Sequence, residues 1–331
     1  MKKILFAILF AAPVLLFAQF NAQKDPFITK SLSSEKFSSM DVTTSHGNIS
    51  VSKVPASEAR VEVYIHANGN SWDQRISKEE IQQRLDQYYD MEVAVENGKL
   101  VAFARVKKNV NDNLFNSKKS LSISFRVYTA DAMPTDLKTS HGDINLSSMS
   151  GDQELSTSHG NIRVESIAGS VSGGTSHGDV SVKSITQGVR MSTSHGNIEA
   201  EQCDGTIKVT TSNGDVRLKT LKGKVDAQTT HGNVDGDAVT GELTAATSHG
   251  DINLSNLDGP VATSTSHGNI TLQLPKGKGM DIDLRGKKIS VDKLENFSGS
   301  KEEKSMKGTL NGGGMIVKAE TSQGDVNLRF R

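Results

Sequence analysis

The chain has 331 residues, with 38 Lys plus Arg against 38 Asp plus Glu and 5% aromatic residues. That balance supplies no electrostatic basis for binding nucleic acid or an anionic membrane surface. Thirty glycines and six prolines, with abundant Ser, Thr and Val, suit short strands joined by tight turns, and the length suffices for one or two domains with a real core.

The chain opens MKKILFAILFAAPVLLFAQFNAQ. Two lysines before an apolar run of about fifteen residues are the layout of a secretory signal peptide, read here over residues 1–18 with cleavage after Ala18. No cysteine follows the run to carry a lipid. No later stretch approaches the roughly 18 apolar residues of a membrane span, so the mature chain is expected to hold no transmembrane segment. Cys203 is the single cysteine, and an exported chain must therefore hold together without internal disulfides.

Residues 24–70 are read as first strands and a first coil, carrying TTSHGNIS around His46. Residues 71–119 break the pattern. SKEEIQQRLDQYYD (77–90) places Ile81, Leu85, Tyr88 and Tyr89 on one helical face with Ser77 and Glu80 as a capping box. MEVAVENGKLVAFARV follows as two alternating runs around Asn97-Gly98, a hairpin signal. Solenoid ends expose unpaired strand edges, so this helix and hairpin are expected to cap one end, with a partner-binding role as the sharper reading.

Residues 120–331 are dominated by a repeat. Its histidine falls at His141, His159, His177, His195, His231, His249 and His267, with Asn213 once in the same slot, and every step is 18 residues. Counting from the histidine, apolar residues recur at +3 (Ile144, Ile162, Val180), +5, +8 (Met149, Ile167, Ile185), +12 (Val171, Val189, Ile207) and +14. Steps of two are strand alternation with one side facing a core. Glycines at +10, such as Gly151, Gly205 and Gly223, mark a turn. The fold class expected is all-β, a parallel β-solenoid of 18-residue coils with equivalent strands stacked at about 4.8 Å and a right-handed wind, the default for parallel crossovers.

Thr157, Thr175 and Thr193 stand for a +16 series in phase with the buried positions, read as an internal threonine ladder with hydroxyls bonded rung to rung. From +16 to the next +3 is an odd number of residues, so alternation must break between them. Gly160, Gly178 and Gly196, at +1, are the place, because glycine accepts backbone angles closed to other residues. At +2 the chain alternates strictly: Asp143, Asn161, Asp179, Asn197 and onward. Identical carboxylates would repel across a rung, whereas an intervening amide doubles the charge separation and can donate a hydrogen bond. A duplication history of 36 residues would produce the same alternation. The seven histidines are candidate metal ligands or catalysts, but Asn213 and Gln323 occupy the same slot. A stacking, hydrogen-bonding corner is therefore the preferred reading, and no catalytic residue, metal or cofactor is assigned. At the far end, residues 294–314 read as a charged loop, and Val317, Ala319 and Thr321 restore the coil phase.

The repeated TSHGD[IV] and TSNGDV units and the terminal GTLNGGG followed by TSQGDV resemble a family of exported bacterial β-strand-repeat proteins named putative adhesins, over roughly residues 36–331. The resemblance implies a solenoid and an envelope location, and supplies no site. The function expected is a non-enzymatic exported scaffold in the periplasm, on the cell surface or secreted, whose partner is an envelope or surface protein or a glycan. The alternatives are a carbohydrate-active β-helix enzyme, of polysaccharide lyase or hydrolase type, and a periplasmic envelope-stress accessory. An acid cluster on one face would favour the enzyme; a flat uncharged strip would favour binding.

Overall fold

A computed structural model describes residues 25–67, 77–108, 110 and 119–331. The signal-peptide reading of residues 1–18 and the single tryptophan, Trp72, lie outside the described residues. The strands form a parallel β-solenoid. Within the repeat array each strand pairs with the strand 18 residues on, Ile162 opposite Val180 and Val189 opposite Ile207.

Two long parallel stacks face each other across the core. The threonine stack contains Ser39–His46, Thr135–His141, Gln153–Ser156, Val171–His177, Val189–His195, Leu243–His249 and Val261–His267. The isoleucine stack contains Ile49–Lys53, Ile144–Ser147, Ile162–Ile167, Val180–Ile185, Val234–Thr240, Ile252–Ser255 and Ile270–Leu274. Ile198–Asn213 and Val216–Gln228 run through both stacks as continuous strands.

The inward series is the one the periodicity marks. Ile144, Leu146, Met149, Leu155, Ile162, Val164 and Ile167 are all buried, and Thr139, Thr157, Thr175, Thr193 and Thr211 sit among them. The step from +5 to +8 is odd, so alternation must also break there. It does so at +7, where Ser148, Ser166, Ser184, Gln202, Thr220, Ala238 and Asn256 all adopt φ between 54° and 60°. A left-handed residue in every coil reverses the facing of the next side chain and seats the +8 residue in the core. Cys203 occupies this series and is fully buried; burial pushes its thiol up to about 11, which leaves it protonated and inert.

Each end is closed by an inserted segment that adds a rung outside its neighbour in sequence. At the N-terminal end Lys99–Val106 lies parallel to Ser39–His46, and Leu121–Thr129 lies parallel to Ile49–Lys53. The second hairpin strand is thus itself a rung of the threonine stack. Tyr89–Glu96 covers it antiparallel, through a turn with positive φ at both Asn97 and Gly98. Arg60–Ala67 covers Leu121–Thr129 antiparallel, and Ile28–Ser31 pairs with Arg60–Ala67. The helix Lys78–Tyr88 is capped by Ser77, whose side chain accepts the Glu80 N–H, and it buries Ile81 and Leu85.

At the other end Val317, Ala319 and Thr321 pair with Val261, Thr263 and Thr265, and Met280–Arg285 stacks outside them. The stretch expected as a charged loop is instead a hairpin: Ser305–Leu310 pairs antiparallel with Met280–Arg285 and with Phe297–Lys301. Its strands alternate too weakly to be seen, since Phe297–Lys301 buries no residue. An outer edge strand has only its backbone to pair, and apolar patterning is not required of it.

Candidate functional site

The repeated Thr-Ser-His-Gly-Asx corner lies where the chain leaves one stack for the other. Each threonine hydroxyl donates to a carbonyl in the rung below: Thr157 Oγ1 to Gly142 O, Thr175 Oγ1 to Gly160 O and Thr193 Oγ1 to Gly178 O, all at 3.0 Å. The ladder therefore runs hydroxyl to glycine carbonyl, not hydroxyl to hydroxyl. The parallel register sets threonine opposite threonine, yet each Oγ1 turns to the glycine carbonyl at the corner. The glycines themselves have φ of 154°, 149° and 152° at Gly160, Gly178 and Gly196. A Cβ on any of them would lie 2.0–2.1 Å from the carbonyl oxygen of the glycine beneath.

The Asx row is a second ladder. The Asn161 N–H donates to Asp143 Oδ1 at 2.7 Å, Asp179 N–H to Asn161 Oδ1 at 2.8 Å, and Asn197 N–H to Asp179 Oδ1 at 2.8 Å. The series continues to Asp325, whose N–H donates to Asn269 Oδ1. Both residue types supply the acceptor that the next backbone needs. The amides of Asn161 and Asn197 also approach Asp143 and Asp179, at 3.3 and 3.4 Å.

The histidines form an outward row. Their rings stack face to face at centroid separations of 4.4 to 4.8 Å from His46 through His141, His159 and His177 to His195. A second run joins His231, His249 and His267 at 4.8 to 4.9 Å. Asn213 separates the two runs. All seven array histidines are exposed, while His46 is half-buried. Burial, and secondarily the neighbouring His141, lowers His46 to about 4, and burial with His159 beside it lowers His141. Among the described residues no group of three or more His, Cys, Asp or Glu side chains is placed to hold a metal.

Beside the histidine row, on the outer face of the threonine stack, lies a flat strip of uncharged, mostly short side chains. Its rungs present Ser156 and Ser158, Gly174 and Ser176, Ser192 and Ser194, Thr210 and Ser212, Gln228 and Thr230, Ala246 and Ser248, and Ser264 and Ser266. Lys138 and Glu320 bound it in the rungs at either end. The opposite face is charged. Lys183, Glu201 and Lys219 alternate in sign along successive rungs, with Lys183 and Lys219 lying 3.5 and 3.8 Å from Glu201.

Sequence reasoning singled out the corner and missed the strip and the charge ladder. The strip positions, one and three residues before the histidine, vary among Ser, Gly, Thr, Gln and Ala. Their shared property is only the lack of charge.

Shallow grooves of about 280 Å³ flank these faces. One is lined by Ser50, Asn145, Ser147, Arg163, Glu165 and Lys183, the other by Asp258, Gln273, Lys278 and Arg331 among others. Neither lining holds the pair of carboxylates that glycoside hydrolysis uses. A third groove of about 240 Å³ has Asp283 and Glu320, each facing a cation in the paired strand, Lys318 and Arg285.

Among solved structures the chain is similar to that of a putative adhesin from Bacteroides fragilis NCTC 9343, at 17% identity over 74% of this chain and 95% of that one, with a TM-score of 0.43. It is also similar to a putative cell adhesion protein from Clostridium sporogenes ATCC 15579, at 11% identity over 91% of this chain and 96% of that one, with a TM-score of 0.22. No curated protein matches the sequence. Residues 165–329 match the family described as Toastrack DUF4097; the coils before residue 165 stack on the matched ones in the same 18-residue register. The chain thus carries a Toastrack DUF4097 domain, a domain of unknown function.

Proposed function

We propose that this protein is a non-enzymatic, exported binding scaffold that meets an envelope or surface partner through the flat strip on its threonine stack. The observation that carries the reading is the strip itself. From Ser156 to Ser266 no charged side chain interrupts these two columns, although the adjoining outward column of the same stack carries Glu154, Arg190, Lys208 and Asp226 and the other stack alternates in charge. A rigid array of hydroxyls and backbone at about 4.8 Å per rung offers hydrogen bonds with little side-chain entropy to lose, which suits an extended glycan or a flat protein surface. Export by the 1–18 segment would bring the strip to the periplasm or beyond.

The test compares surface variants in binding to envelope fractions of the producing cell. Ser156→Glu with Ser192→Glu puts two charges on the strip at exposed positions, so melting should change little. Binding should fall at least tenfold, while Ser181→Glu on the isoleucine stack should leave it unchanged. Equal binding by all three proteins would overturn the strip as the contact face.

A further inference from the structure

The stacked imidazoles have a geometry that their architectural role does not require. Stacking needs only parallel rings, and Asn213 shows that the corner closes without one. Yet eight of them stand in two unbroken runs, five from His46 to His195 and three from His231 to His267, at 4.4 to 4.9 Å. Seven are open to solvent.

A neutral imidazole nitrogen binds Zn²⁺ at about 2.0–2.1 Å, and imidazole suits zinc, copper and nickel over calcium or magnesium. Two nitrogens on one tetrahedral ion therefore lie about 3.3–3.4 Å apart. The ladder separations are between centroids of face-to-face rings, whose nitrogen lone pairs lie in parallel planes, so two exposed neighbours reach one ion by rotating out of the stack about χ1 and χ2, which needs no movement of the backbone. A ring two rungs away is at about twice the spacing and cannot join, in keeping with the absence of any three-ligand group among the described residues.

We propose that adjacent histidines of the ladder form two-imidazole sites for transition-metal dications of the zinc class, with water completing the coordination, as an exposed accessory to a fold that stands without metal. The pair is the unit, so capacity depends on how the runs divide. Five rings hold two separate pairs and three rings hold one, giving about three ions per chain.

The test is a calorimetric titration of the purified full-length protein, free of any added histidine tag, with Zn²⁺ alone. His249→Asn strands His231 and His267 and should reduce the capacity from about three ions to about two. His267→Asn leaves the His231–His249 pair and should not change it. Asn213→His fuses the runs into nine rings and should raise capacity to about four. Asn at the native slot of Asn213 makes these variants compatible with the fold, and unchanged circular dichroism checks this. The proposal is overturned by no zinc uptake, by equal capacities in His249→Asn and His267→Asn, or by uptake that survives replacement of every ladder histidine with Asn.

Discussion

At the scale of single residues, two backbone positions carry the coil, and they differ in how strictly they select side chains. Gly178 has φ of 149°, and a Cβ there would lie 2.1 Å from Gly160 O, so Gly178→Ala must separate two rungs. It should cost more than about 3 kcal/mol or prevent folding, measured by urea denaturation. The +7 position is left-handed but tolerant, and Thr220, β-branched and exposed at φ 54°, is strained there. Thr220→Gly or Thr220→Asn should stabilise by about 0.5–1 kcal/mol; a loss of stability would mean that the threonine side chain has a role its exposure does not reveal. His46 makes stability sensitive to acid. Its folded-state value of about 4 lies below the ordinary histidine value of 6.5, so the unfolded chain takes up the proton first. Stability present in full above pH 6.5 declines as pH falls toward 4. Because the ring is only half-buried, the loss should be about 1–2 kcal/mol, and His46→Asn should flatten that part of a stability–pH curve.

At the scale of elements, the Asp/Asn row shows how much of a ladder is readable from spacing. The alternation pointed to like-charge avoidance, and its test is the salt dependence set out below. The main bond, however, is a backbone N–H to the Asx oxygen of the rung below, which Asp and Asn serve equally. Only the charge then distinguishes them. Asn161→Asp with Asn197→Asp would join Asp143, Asp179 and Asp215 into five consecutive carboxylates while keeping every acceptor. The cost should be up to about 1 kcal/mol per new contact at low salt and should largely disappear at high salt. A double variant that melts with the parent at low salt would leave duplication as the sole origin of the alternation. The end elements were less readable. The N-terminal helix and hairpin have strong local signals in Ser77, Ile81, Leu85 and Asn97-Gly98. The C-terminal hairpin buries little along Phe297–Lys301 and left no pattern.

At the scale of the molecule, a solenoid's stability is close to a sum over rungs and their interfaces, so whole coils should be removable. Deleting residues 160–177 removes one coil and brings Asp143 against Asp179. Deleting residues 160–195 removes two and brings Asp143 against Asn197, preserving the alternation. Both proteins should fold with a β-type circular dichroism spectrum. The single-coil deletion should melt lower at low salt and recover at high salt, whereas the two-coil deletion should show no such salt dependence. The reverse order would show that rung pairing, not charge order, sets the stability of the rod.

The coil length, the inward series, the threonine ladder and the need for glycine after histidine were all determined by the sequence, because each is a local parity or spacing that repeats every 18 residues. The left-handed turn at +7 was implied by the odd step from Leu146 to Met149, but its residues share no chemistry and could not be named from it. The tertiary structure decided what depends on neighbours distant in the chain. It chose the glycine carbonyl as partner of each threonine, and it drew Lys99–Val106 and Met280–Arg285 from insertions to close the ends. It also aligned weakly patterned outward positions into an uncharged strip and a charged face. Burial selects strongly and leaves a mark in every repeat. A solvent-facing row is defined only when the rungs are set one above another.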